Sequence, residues 1–209
     1  MTSRTATPAA AAGTRMTAQA RREQLLDATK ALVDRAGFHA VSIEAVAREA
    51  GITRPIVYGH FRDLPGLLEA LVDREGDRAL AQLDELLPKD LESGDPRELL
   101  LAAQEAYLRA AQGDPATWKL VLMPPEGAPD ILRERIAEGR AQVVGQLAQA
   151  VAPLFQPGSG GPDPELTARM LSTMADEAVR LLLNDPERYP PERLVAQTRW
   201  FLDRLIDPQ

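Results

Sequence analysis

Ser42-Ile-Glu-Ala-Val-Ala-Arg-Glu-Ala-Gly-Ile-Thr-Arg-Pro-Ile-Val-Tyr-Gly-His-Phe61 is the stretch on which the reading of this chain turns. Ser42 is a helix-capping residue, and Ile43, Val46, Ala47 and Ala50 behind it share one helical face. That face is small enough for a second helix to approach closely. Gly51 takes positive φ at little cost and turns the chain, and Ile52 plugs the turn. Thr53 is expected to cap a third helix ending near Phe61, with Val57 and Phe61 four residues apart as its inward anchors. Pro55, Ile56 and Gly59 are then left facing outward. A solvated helix would carry Glu or Lys there. A small apolar face with Arg54 at its entrance suits a major groove instead, where apolar groups meet thymine methyls and arginine pairs with guanine. Gly59 admits a close backbone, and Tyr58 and His60 flank the face with donors for phosphate. His39 reads as a loop residue.

Outward from this stretch, helical periodicity continues with Pro, Gly and Asp as punctuation, and no segment keeps a two-residue alternation. Helix 1 is expected from Ala18 to Ala36, with Leu25, Ala28 and Leu32 inward and Gly37 as its stop. Asp63 caps a long helix 4 reaching about Leu87, with Pro65 in its first turn and Gly66 and Gly76 as points where it can bend. Asp95, Asp114 and Asp163, each followed by Pro, open further helices, as does Pro191, and a long helix to about Ala152 follows the proline-rich break from Pro124 to Pro129. The prediction is an all-α chain of about nine helices. Residues 1–17 form a disordered arm, 18–64 a three-helix DNA-binding head, 63–87 a connecting helix and 88–209 a helical body. Gln156 to Pro162 is expected to be a mobile Gly/Pro loop.

Composition narrows the function. The 209 residues contain no cysteine, which removes disulfides and thiolate metal sites, and both histidines lie in the head. No Gly-rich phosphate loop or His-Glu-x-x-His helix is present, so no catalytic, cofactor or metal site is expected. No apolar run approaches a membrane span and the arm lacks a signal-peptide core, which points to the cytoplasm. The net charge of −7 argues against nucleic acid until its distribution is read. Up to Arg62 there are nine basic and five acidic residues, and the remaining 15 basic and 26 acidic residues make the body strongly acidic. Only the head is suited to an anionic partner.

From about Ala20 to Ala79 the sequence resembles the DNA-binding domain of the TetR family of bacterial regulators. The resemblance rests on Leu25-Leu26-Asp27-Ala28, Gly37-Phe38, Val46-Ala47, Ala50-Gly51-Ile52 and Tyr58-x-His60-Phe61. It implies that Thr53, Arg54, Pro55, Ile56 and Gly59 face bases, while Ser42, Tyr58 and His60 hold phosphates. Where many members carry a phosphate-reaching lysine at the start of helix 4, this chain has Leu64, and Arg62 stands as the replacement.

The same resemblance implies a homodimer on a pseudo-palindromic operator and a body that binds a small effector. Two apolar stripes on each of the last two helices fit a home core and a partner subunit. On the 163–184 helix they are Leu166, Met170, Met174 and Leu181 beside Leu171, Ala175, Ala178 and Leu182. On the last helix they are Leu194, Phe201 and Leu205 beside Val195, Leu202 and Ile206. Leu171, Ala175, Ala178, Leu182, Val195, Phe201 and Leu202 are the expected dimer residues. Gln104, Tyr107, Trp118, Met123, Met170, Met174 and Glu177 are the expected pocket, suited to a largely apolar effector. Family habit favours a repressor; an activator, or an all-helical interaction protein retaining the head as packing, are the alternatives.

Overall fold

The computed structural model describes residues 16–87, 89, 94–125, 127–154 and 162–206. Among them are nine α-helices and no strand: α1 (Ala18–Ala36), α2 (Ile43–Glu49), α3 (Arg54–Tyr58), α4 (Leu64–Leu86), α5 (Pro96–Gly113), α6 (Pro115–Leu122), α7 (Asp130–Val151), α8 (Pro164–Asn184) and α9 (Pro191–Ile206). Residues 1–15 of the expected arm, and all of the 156–162 loop except Pro162, lie outside the described residues, as do the side chains of Leu205 and Ile206.

The expected caps form. Ser42, Asp63, Asp95, Asp114 and Asp163 each accept a hydrogen bond from a backbone N–H in the first turn of the following helix. Thr53 occupies the capping position of α3, but its side chain makes no cap bond. α3 also stops at Tyr58, short of the expected Phe61. Bonds from the His60 and Phe61 N–H groups to the Val57 carbonyl, at 3.0 and 2.9 Å, add a last turn, so both anchors still point inward. At Gly51, with φ of 67°, the chain closes α2 by two bonds: Ile52 N–H to Ala47 O and Gly51 N–H to Arg48 O.

The head core joins Leu25, Leu26, Val46, Val57, Phe61 and Leu67, and it continues into the body through Leu120 of α6 and Leu132 of α7. A second core lies where the end of α4 meets α5, α6, α8 and α9, and a third joins α7 to α8. α4 runs as the one helix expected, through Gly66 and Gly76. At Gly76 the reason for glycine is proximity: a Cβ there would stand 3.3 Å from Arg135 Cγ on α7. Gly139 of α7 likewise stands where a Cβ would meet Leu80 of α4 at 3.3 Å.

Candidate nucleic-acid interface and effector cavity

The second and third helices form one unit because α1 holds them. Gln24 Nε2 donates to the Ala50 carbonyl at 3.0 Å, Arg35 pairs with Glu49 at 2.8 Å, and Val46 and Val57 are fully buried between the helices. Burying Val57 and Phe61 leaves Arg54, Pro55, Ile56, Tyr58 and Gly59 exposed, with His60 half-buried. Ile56 keeps 40% and Tyr58 55% of its surface in solvent, far from the core role that a lone tyrosine would suggest. Gly59 has ordinary helical φ; what it supplies is an open approach to the Ile56 and Pro55 carbonyls, 3.3 and 3.6 Å from where a Cβ would sit. Ser42 spends its hydroxyl on the Ala45 N–H, and the Arg62 side chain is 95% exposed.

One contact was not readable beforehand: Arg54 Nη1 donates to Glu44 Oε1 at 2.5 Å across the two helices. A bond to the Glu44 backbone N–H, and then Arg54, hold the Glu44 carboxyl below its ordinary range.

Behind the head, a ring of charge joins three elements. Glu75, fully buried in α4, accepts from Thr117 Oγ1 and pairs with Lys30 of α1 at 3.0 Å and Arg74 at 2.8 Å. Lys30 also reaches Asp114, the cap of α6, at 2.7 Å. Burial alone would raise the Glu75 carboxyl, but the Thr117 and Lys30 hydrogen bonds and the Lys30 and Arg74 charges outweigh it and leave it low.

The body holds a partly open apolar cavity with two adjoining lobes of about 60 and 80 Å³. Leu83, Tyr107, Val143, Ser172 and Asp176 line both lobes, from α4, α5, α7 and α8. Trp118 sits in the first lobe, edge-on to Tyr107 with ring centroids 4.8 Å apart, and donates from Nε1 to Gln82. Gln104 and Met174 sit in the second. Three expected pocket residues lie elsewhere. Met170 is 72% exposed, Glu177 is on the surface paired with Arg180, and Met123 lines a separate depression beside α1.

Asp176 was missed. It receives the Tyr107 hydroxyl at 3.1 Å and pairs with Arg140 at 3.3 Å. Burial pushes its carboxyl above the ordinary range against the pull of Arg140, Tyr107 and Arg180, and burial with Asp176 alongside pushes the Tyr107 hydroxyl well up. The available signal was spacing: Ala168, Ser172 and Asp176 recur every four residues on one face of α8.

The expected dimer residues divide by exposure. Ala178, Leu182 and Leu202 are buried in the chain's own core, and the half-buried Ala175 and Leu171 line the cavity. Val195 is half-buried, and of the seven only Phe201 is exposed. The outward apolar side chains are Leu166 and Met170 on α8 and Trp200 and Phe201 on α9.

Residues 25–71 match the family model described as bacterial regulatory proteins, tetR family. The HTH-type transcriptional regulator BetI of Yersinia pestis (strain Pestoides F) is 37% identical over 99 residues, covering 47% of this chain and 50% of that protein. The HTH-type transcriptional activator FasR of Mycolicibacterium smegmatis is 32% identical over 110 residues, covering 52% and 48%. The chain thus spans about half the length of the curated relatives it matches. A TetR-like transcriptional regulator from Rhodococcus sp. RHA1 shares the fold over 93% of this chain and all of its own, with TM-score 0.73 and 20% identity. The Bacillus subtilis regulator FadR, solved in complex with stearoyl-CoA, aligns over 90% of this chain and 98% of its own, with TM-score 0.65 and 20% identity.

Proposed function

We propose that this chain is a regulator of the TetR type, as the family-model match over residues 25–71 and the fold support, and that it is a homodimeric, sequence-specific DNA-binding repressor released by a small, largely apolar effector. Residues 18–64 are the reading head, 63–87 the connector and 88–209 the effector-binding and dimerisation body. The observation that carries this is the outward face of α3: Arg54, Pro55, Ile56 and Gly59 stand exposed above a buried Val57 and Phe61. Exposed apolar surface on a five-residue helix is a cost to a free protein and a contact surface in a major groove. Ser42, Tyr58, His60 and Arg62 serve the phosphates, with Thr53 at the entrance of the helix. The cavity is the effector site, and it lies against α4, a helix that also underlies the head.

No helix of the described residues is long and apolar enough to cross a membrane, in keeping with a regulator working at cytoplasmic DNA. Footprinting of the gene's own neighbourhood is the test, and a protected pseudo-palindrome is the expected result. A reporter driven from that site should rise on deletion of the gene. A fall would make the protein an activator, as its relative FasR is named. Absence of any protected site in that neighbourhood would overturn the regulator reading.

A further inference from the structure

The cavity carries an unused donor. Gln104 of α5 is 6% exposed, lines the second lobe, and its Nε2 makes no hydrogen bond among the described residues. A buried donor without a partner costs free energy that the fold has no reason to bear unless something else accepts from it. Around it the lobe is apolar: Leu86, Leu100, Leu147, Leu171 and Leu202 come from five different helices.

The one charged residue lining this lobe, Asp176, is already spent. Asp176 offers one oxygen to Tyr107 and the other to Arg140, with Arg180 at 3.9 Å. A ligand carboxylate placed in this lobe would meet Asp176 as a like charge, and a ligand ammonium would find both carboxylate oxygens engaged.

We infer that the cavity is built for an uncharged, elongated apolar ligand bearing a hydrogen-bond acceptor of the carbonyl class, which takes the free Gln104 amide N–H while its hydrocarbon fills the two lobes. This rests on the reading of the cavity as the effector site and specifies the chemistry of its occupant.

The test uses the full chain and three probes of equal length, 2-octanone, n-octane and octylamine, titrated by calorimetry at neutral pH. The ketone is expected to bind about tenfold more tightly than the alkane, the return for satisfying an otherwise orphaned buried donor, with the amine weaker than the ketone. Gln104→Met keeps the side-chain length and removes the donor. It should fold, melt no lower than wild type, and bind ketone and alkane alike. Gln104→Asn keeps the donor but withdraws it by one methylene, and should lose most of the ketone preference. Equal wild-type affinities for ketone and alkane, or a ketone preference that survives in Gln104→Met, would overturn the inference while leaving the effector site in place. Binding of none of the three would overturn both.

Discussion

Arg54 meets its surroundings twice, once as the partner of Glu44 and once as the one charged side chain within α3. Both members of the pair are well exposed, so the bond between them is screened and easily exchanged for a base edge. Arg54→Ala is therefore expected to lower the ratio of operator to scrambled-DNA affinity by about tenfold. Tyr58→Phe should weaken both affinities equally, because a phosphate contact carries no sequence information. Fluorescence-anisotropy titrations on the two DNAs decide it, and an unchanged ratio for Arg54→Ala ends its base-reading role. The outward face itself was legible in the sequence, because Val57 and Phe61 at a spacing of four fix which side of a short helix is buried. The Glu44 contact and the idle Thr53 hydroxyl were not, because they depend on how α2 and α3 cross. Met170 and Glu177 show the same limit: periodicity divides a helix into faces without saying which face meets a cavity and which meets water.

At the scale of elements, α4 is the joint of the molecule. Its start packs beneath Phe61, its middle buries Glu75 and its end lines the cavity through Leu83. The sequence showed the length of this helix through its cap and its apolar spacing. It gave no sign of the charged ring, since Lys30, Glu75 and Asp114 are far apart in the chain and each reads alone as a surface residue. That ring ties α1, α4 and the start of α6, and thereby the head to the body. Glu75→Gln removes the buried charge facing Lys30 and should destabilise the protein by about 3 kcal/mol at neutral pH, the lower end of the cost of breaking a buried pair, because Lys30 keeps Asp114. The folded-state carboxyl of Glu75 titrates below its unfolded value. Its contribution is thus complete above the ordinary glutamate range near ~4.3 and is lost as pH falls through the lower, folded value. Urea melts of wild type and variant should therefore differ most at neutral pH and converge under acid; a gap that persists unchanged into acid would show that the ring does not work through ionised Glu75. Gly76→Ala is expected to stay within ~1 kcal/mol of wild type, the gain in helix propensity offsetting a small shift of Arg135. A larger loss in the same melts would mean that Arg135 cannot give way.

For the whole molecule the decisive surface is the one that the single chain leaves uncovered. Leu166 and Met170 lie one turn apart on α8, and Phe201 of α9 is 42% exposed, while its neighbour Leu202 is 1% exposed in the chain's own core. Apolar side chains of this size, exposed on the last two helices, fit a C2 interface in which a second copy covers the same residues. Such a dimer presents two copies of α3 to two half-sites about one helical turn apart, so affinity for a palindrome depends on the dimer remaining intact. The two classes of residue separate folding from assembly. Leu202→Glu places a charge in the core and should unfold the chain, visible as lost helical circular dichroism. Met170→Glu combined with Phe201→Glu alters only exposed positions. It should leave helicity and the melting transition of the subunit largely intact while shifting the sedimentation coefficient to that of a monomer. That monomer should also lose most of its affinity for the full palindrome while binding an isolated half-site about as well as the wild type does. A wild type that sediments as a monomer at micromolar concentration, or a double variant that remains dimeric, would place the interface elsewhere.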